Sequence, residues 1–303
     1  MESRGSFPFG KLEISGNVKL SRFTTWGVGG PARYFIEPIS LEQFVEALRF
    51  ARERGMEVFV MGSGSNLLVH DSGFPGLVIR TVRLNGWEIR GDRLTADAGV
   101  KLPFLARIAA ESGLSGLEEL SGIPGTIGGA LIQNAGAYGR EFGELVEWVE
   151  LLIDDKVERY TSDALKFCYR RTILPAEGYI VRVGLRLVSS DKDRIRERIR
   201  DFVRRRRSTQ PLGRTAGSVF KNPEGRAAGW LLDRAGLKGV GIGGAKYSKV
   251  HANFIVNTGG ATADDIFRLM KMGRERVLEI FGVELEPEIK MIGAFEWRGS
   301  GGR

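Results

Sequence analysis

Residues 121–139 read Ser121-Gly122-Ile123-Pro124-Gly125-Thr126-Ile127-Gly128-Gly129-Ala130-Leu131-Ile132-Gln133-Asn134-Ala135-Gly136-Ala137-Tyr138-Gly139, with six glycines and no charged residue in nineteen positions. Glycine admits positive φ and lets a neighbouring group approach bare backbone. A run this dense in glycine, interrupted by Pro124, is not expected to propagate as an ordinary helix or strand. A flexible linker would be polar and rich in Ser, Gly and Pro, whereas this run interleaves Ile123, Ile127, Leu131, Ile132 and Tyr138. A membrane span would want about 20 mainly apolar residues, and the glycines with Gln133 and Asn134 argue against that. The run is therefore read as backbone folded closely around an anionic cofactor.

Outward from this run, the chain has the size and balance of a soluble protein with two or three domains. It has 303 residues, 42% hydrophobic and 27% charged, enough for a sizeable core. The single cysteine, Cys168, excludes a disulfide framework and fits a reducing compartment. Met1–Gly10 lacks a charged leader followed by an apolar run, so no secretory signal is expected. Two histidines, His70 and His251, with one cysteine do not make a usual zinc site, and no metal is expected. Net charge is +8, and eight arginines fall within Asp191–Arg207. Ile195, Ile199, Phe202 and Val203 in that segment have helical spacing, which predicts an amphipathic helix with a basic outer face. No aromatic residues interleave those arginines as a stacking platform for nucleic acid requires, so it reads as a solvated helix joining two domains.

Other elements follow from local signals. Ser40 and Gln43 form a capping box for a helix whose buried face is Leu41, Phe44, Val45 and Leu48, closed by Gly55. Val58–Met61 reads as a buried strand, Gly62-Ser63-Gly64-Ser65-Asn66-Leu67 as a loop, and Leu67–Val69 and Leu77–Ile79 as strands. A dinucleotide fingerprint wants a third glycine where Leu67 stands and a helix straight after. The loop thus offers N–H groups to phosphate without the fold its first glycines suggest. Gly5–Lys11 matches G-x-x-x-x-G-K, but Leu12 replaces the Ser/Thr and no strand precedes it, so the match is read as chance. Leu102–Ser112 is expected to be a helix, Val146–Ile153 and Tyr179–Leu187 strands, Trp230–Leu232 part of a helix, His251–Val256 a strand, and Ala263–Ile280 a long helix. No G-x-S-x-G elbow or recognisable triad suggests a hydrolase.

Several ordered segments, taken together, resemble the UDP-N-acetylenolpyruvoylglucosamine reductase (MurB) family. They are Thr24–Ala32, Gly62–Leu68, Ser121–Gly139, Tyr169-Arg170, Gly217–Pro223, Ala228–Leu231, Leu237–Gly239, His251–Asn257 and Leu285–Ile289. The resemblance implies an α+β fold: two FAD-binding subdomains of vanillyl-alcohol-oxidase or PCMH type, followed by an α+β substrate domain. It predicts the FAD-binding domain at 1–190, split near 90, the UDP-sugar domain at 191–295, and a loose tail at 296–303. The short spacings from Pro223 to Leu231 and from Leu237 to His251 resemble the compact type of the family, which lacks a substrate-capping insertion.

The same resemblance implies noncovalent FAD, NADPH as electron donor, and reduction of UDP-N-acetylglucosamine enolpyruvate to UDP-N-acetylmuramate for peptidoglycan. The expected protein is a cytoplasmic monomer that neither binds nucleic acid nor inserts into membranes. Arg170 and Glu288 resemble the pair that stabilises the enolic intermediate, and Ser218 resembles the proton donor, with Lys221 a candidate cationic neighbour for it or for the diphosphate. FAD is expected on Gly62, Ser63, Gly64, Ser65, Asn66 and Leu67, with Ser65 and Asn66 on the pyrophosphate. The opposite wall is expected from Gly122, Ile123, Pro124, Gly125, Thr126, Gly128, Gly129 and Ala130, with Asn134, Gly136 and Ala137. Lys221, Asn222 and Asn253 are the expected substrate contacts. The rival readings are another FAD oxidoreductase of the same superfamily, oxidising an alcohol or hydroxy acid, and a basic nucleic-acid-binding protein.

Overall fold

The computed structural model describes residues 6–9 and 12–296. The expected tail beyond Glu296, and Gly5, Gly10 and Lys11 of the rejected phosphate-loop match, lie outside the described residues.

The chain builds three packed units. In the first, a five-stranded sheet runs in the order Ser6–Phe9, Leu12–Lys19, Pro31–Ile36, Phe74–Arg80, Val58–Met61. Helix α1 (Leu41–Glu53) covers it, burying Phe44, Ala47, Leu48, Phe50 and Ala51. Ser40 Oγ accepts from Gln43 N (3.3 Å), while the Gln43 side chain accepts from Ile39 N (3.0 Å) rather than from Ser40, so the box is displaced by one residue. Gly55, at φ +58, turns the chain out of the helix in the left-handed region that glycine tolerates.

The second unit is an antiparallel sheet in the order Lys156–Thr161, Val146–Ile153, Tyr179–Arg186, Arg93–Asp97, Trp87–Arg90. Helices α2 (Leu102–Glu111) and α3 (Ile127–Ile132) share its core with Leu94, Val149, Val183 and Leu185. Helix α3 lies inside the glycine run, contrary to the expectation that no ordinary element would form there. Ile127, Ala130 and Leu131 bury one face, and Gly128 lets the turn sit against Ala98, whose Cβ lies 3.0 Å from where a Gly128 Cβ would stand.

Helix α4 (Lys192–Thr209) starts at Asp191, whose carboxylate accepts from Arg194 N at 2.9 Å. It is not simply a solvated connector. Arg198 pairs with the buried Glu118 (3.3 Å) and with Glu119 of the second unit, and Phe202 stacks on Tyr138 at 4.9 Å. The third unit packs helices α5 (Ala228–Arg234) and α6 (Ala263–Phe281) around Leu231, Leu232, Tyr247, Ile266, Leu269 and Met270. The strand expected at His251–Val256 is only Ile255–Asn257. Ser248 Oγ accepts from the N–H groups of Val250 (3.0 Å) and His251 (3.3 Å), which curls the preceding residues into a turn.

Several ties fasten the third unit to the first. Leu67–Val69 pairs in parallel with Lys290–Ile292. Asp71 caps α6 by accepting from Ala263 N (2.9 Å) and Asp264 N (3.0 Å). Trp26, fully buried in the third unit's core, donates from Nε1 to the Ile255 carbonyl (2.7 Å), and its own carbonyl accepts from Asn257 Nδ2 (2.8 Å). A buried tryptophan truncated to alanine loses its transfer energy and leaves a cavity. Trp26→Ala is expected to lower unfolding free energy by about 3–5 kcal/mol in urea denaturation; a loss under about 1 kcal/mol would contradict this role.

Candidate active site

The three units meet around a cleft of about 1020 Å³. Each wall comes from a different part of the chain, and local geometry aims the groups inward.

The first wall is the loop after Val58–Met61. Gly64, at φ +67, stands against the Phe23 carbonyl, where a side chain would collide. Among the described residues, the backbone N–H groups of Ser63, Gly64 and Ser65 donate to no carbonyl or side chain, and the buried Ser63 hydroxyl has no partner. Unpaired buried donors are costly, and a cluster of them is a ready anion site. The second wall is the glycine run. Gly62 abuts Thr126 so closely that a Cβ would overlap its hydroxyl, and Ser65 Oγ donates to the Pro124 carbonyl at 2.8 Å. The two loops form one continuous cradle, and the residues present fit a dinucleotide diphosphate.

Arg170 comes from the two-residue link between Lys166–Cys168 and Arg171–Ile173, paired as Cys168↔Arg171. It holds φ +55, a left-handed conformation that costs a non-glycine residue about 1 kcal/mol and aims the side chain at the cleft. Its Nε lies 3.0 Å from Glu288 Oε1, both side chains being 20% exposed, and Nη2 donates to the Gly136 carbonyl at 3.1 Å. Glu288 and Ser218 sit on neighbouring segments: Glu288 N donates to Val219 O (2.9 Å) and Lys221 N to Glu286 O (2.9 Å). Burial pushes the Glu288 carboxyl above the usual carboxylate range, with Arg170 and Lys221 opposing the rise. Among the described residues the Ser218 hydroxyl has no hydrogen-bond partner. Lys221 Nζ is held by Glu286 Oε1 at 2.6 Å.

Arg170, Ser218, Glu288, Lys221, Gly62–Leu67, Ile123–Thr126, Gly128–Ala130, Gly136 and Ala137 therefore line one cleft. Gly122, Asn134, Asn222 and Asn253 do not. Asn134 donates to Glu141 (2.7 Å) and to the Cys168 carbonyl (3.1 Å) and accepts from Gly143 N (2.9 Å), bracing the Arg170 hairpin. Asn253, 2% exposed, bonds both backbone groups of Phe220 (3.0 and 2.8 Å) and steadies the Ser218 segment. Asn222 caps α5 through Ala228 N at 3.0 Å, and its own N–H donates to the Tyr169 hydroxyl at 3.3 Å. The Asn66 amide, expected on a pyrophosphate, donates instead to the Glu288 carbonyl at 3.0 Å. Among the described residues no cluster of His, Cys, Asp and Glu could hold a metal ion.

Sequence reasoning missed Tyr179, Arg206, His251 and Phe254 in the lining. His251 Nδ1 accepts from Asn253 N at 3.2 Å, which leaves the proton of the neutral ring on Nε2. Burial and then Lys238 lower its pKa. The quoted His251–Asn257 motif was the only signal for it.

Comparisons with known proteins agree on one family. The model of the UDP-N-acetylenolpyruvoylglucosamine reductase C-terminal domain matches residues 209–292, and that of an FAD binding domain matches 32–156. UDP-N-acetylenolpyruvoylglucosamine reductase of Rubrobacter xylanophilus is 45% identical over 290 residues, covering 95% of this chain and 96% of that protein. The reductase of Moorella thermoacetica is 44% identical over 285 residues, covering 93% and 94%. The crystal structure of UDP-N-acetylenolpyruvylglucosamine reductase (MurB) from Thermus caldophilus superposes with TM-score 0.81 at 39% identity, covering 91% of this chain and 98% of that one.

The raised Glu288 pKa has a stability consequence. Relative to a non-titrating Glu288→Gln variant, wild type is favoured most below the ordinary carboxyl pKa, and that advantage is lost as pH rises through the higher folded-state value. Tm differences between the two proteins from about pH 4 to about pH 8 are expected to narrow upward; a wild-type advantage that grows with pH would contradict the shift.

Proposed function

The chain belongs to the UDP-N-acetylenolpyruvoylglucosamine reductase family, and from that premise we propose how its cleft performs the family's reduction. The protein is an α+β, FAD-containing, NADPH-linked oxidoreductase that reduces the enolpyruvyl group of UDP-N-acetylglucosamine enolpyruvate to UDP-N-acetylmuramate for peptidoglycan synthesis. Bound FAD supplies the hydride, renewed by NADPH.

Hydride addition at the terminal alkene carbon leaves negative charge on the neighbouring carbon, spread into its carboxylate. Catalysis requires groups whose interaction strengthens as that charge develops. Arg170 is the positive group, held by Glu288 and the Gly136 carbonyl so that little reorganisation is needed. Glu288, with its pKa raised by burial, contributes either as a protonated donor to the carboxylate or by fixing Arg170. Ser218 gives its proton to the carbon next to the carboxylate and recovers one from solvent. Lys221 lines the cleft where the substrate would enter, while Asn222 steadies the start of α5 and Asn134 and Asn253 act by bracing Arg170 and Ser218.

The Gly62–Leu67 and Ile123–Ala130 walls with Gly136 and Ala137 would hold FAD noncovalently, and the unpaired amides of Ser63–Ser65 would take its diphosphate. The observation that carries this reading is the Arg170–Glu288 pair opening into the same cleft as the unbonded Ser218 hydroxyl and those amides. The working unit is read as a monomer in the cytoplasm. Among the described residues no helix is long and apolar enough to cross a membrane.

Half-reactions separate the roles. In Ser218→Ala, NADPH is expected to bleach the flavin at the wild-type rate, while reoxidation by the enolpyruvyl sugar slows by about 10²–10⁴. Glu288→Gln is expected to fail at the same half-reaction. Reoxidation within a few-fold of wild type in Ser218→Ala, or a Glu288→Gln defect confined to NADPH oxidation, would remove the respective assignment.

A further inference from the structure

Helix α4 carries eight arginines, and one is unlike the rest. Arg194, Arg200 and Arg207 are exposed. Arg196 and Arg204 pair with Asp193 (3.2 Å) and Asp201 (3.7 Å) on the same helix. Arg198 is pinned by Glu118 and Glu119, and Arg205 lies over the Tyr138 ring at 5.3 Å. Arg206 alone among them turns inward to line the cleft. Among the described residues it has neither a carboxylate partner nor a side-chain hydrogen bond.

Its stem occupies the space left by a missing side chain. A Cβ on Gly122 would stand 2.9 Å from Arg206 Cδ and 3.9 Å from Nε, with Val203 Cγ2 at 4.0 Å. Gly122, which does not itself line the cleft, is therefore the glycine that admits Arg206. The helix is held in this position by the Tyr138–Phe202 stack and by the Tyr138 hydroxyl donating to the Phe202 carbonyl at 3.4 Å. Withdrawal from water lowers the Arg206 pKa, yet a guanidinium remains charged in a protein. The other half-buried cations of the cleft, Arg170 and Lys221, each have a carboxylate, at 3.0 and 2.6 Å. A partly buried guanidinium with no carboxylate partner is well placed to take an anion, and its planar fork matches phosphate oxygens.

We infer that Arg206 is a phosphate-binding residue of the cleft, reaching over Gly122 to a phosphate group of a bound nucleotide. The inference rests on the functional reading above, which supplies two sources of that group: the FAD diphosphate, or the phosphates of the UDP-sugar and NADPH. The basic helix thereby joins the ligand site through Arg206, the one of its eight arginines that lines the cleft.

The test uses full-length Arg206→Met, which keeps the apolar stem, Arg206→Lys, which keeps the charge without the fork, and Arg207→Gln as an exposed control. Three constants are measured: Kd for FAD by reconstitution of flavin-free protein, Kd for the enolpyruvyl UDP-sugar from the flavin spectrum, and KM for NADPH. Arg206→Met is expected to weaken at least one by about 10- to 100-fold, with Arg206→Lys between it and wild type. The Tm of flavin-free Arg206→Met should equal or exceed that of wild type, because an uncompensated cation has been removed. A change confined to FAD assigns the dinucleotide; a change confined to the UDP-sugar or NADPH assigns the incoming nucleotide. Wild-type constants in both Arg206 variants, or a fall in flavin-free Tm with all three constants intact, would overturn the inference. Wild-type turnover of the enolpyruvyl sugar tests the functional reading separately.

Discussion

The site depends on the grip of Asn66 on the segment that carries Glu288, just before the strand Lys290–Ile292. The Asn66 amide donates to the Glu288 carbonyl at 3.0 Å, and the Asn66 backbone carbonyl accepts from Lys290 N at 3.1 Å. Immediately beyond, Leu67–Val69 and Lys290–Ile292 run on as a parallel pair. One residue of the Gly62–Leu67 loop thus sets the height of the Glu288 carboxylate, which comes from the far end of the chain. The same loop is fixed from the other side by the Ser65 bond to Pro124. Cofactor cradle and substrate-facing groups are consequently one rigid construction, as positioned chemistry requires.

Within that frame the electrostatics follow from burial. Glu288 sits where desolvation outweighs two cations in its effect on the carboxyl. Arg170 tolerates the same surroundings because it has Glu288 and the Gly136 carbonyl. Among the described residues Arg206 has no such partner, and the Ser63–Ser65 amides and the buried Ser63 hydroxyl have none either. A protein keeps buried polar groups unpaired where a ligand completes them. In the cleft, Arg206 and the Ser63–Ser65 amides are therefore the donors left open to the anionic parts of a nucleotide.

What was legible in the sequence was local. Helix α1 follows from its cap and spacing, α6 from its acidic first turn and apolar stripe, and the sequence motifs bring Arg170, Ser218 and Glu288 to one cleft. The glycine run pointed to a cradle because glycine density reports close approach of backbone, but its apolar residues were also enough for the short helix α3, which composition alone does not reveal. Non-local pairings stayed hidden. Nothing in Leu67–Val69 says that its partner is Lys290–Ile292, since a period of two specifies a strand and not its neighbour. Asn134 and Asn253 read from the sequence as ligand contacts; in the structure they lie outside the cleft lining and bond Glu141, Cys168 and Gly143, and Phe220, respectively. A helical wheel showed that α4 is amphipathic but not that Arg206 faces the cleft, because the partner surface comes from Gly122 and Tyr138, far along the chain.

The central claim is that one cleft passes reducing equivalents from NADPH through flavin to an enolpyruvyl sugar nucleotide. The most direct measurement is the visible spectrum of the purified protein under anaerobic conditions. The account predicts a flavin band that bleaches with NADPH and returns when the enolpyruvyl UDP-sugar is added. A colourless protein after flavin reconstitution, or a bleached flavin that the sugar nucleotide fails to reoxidise, would contradict it.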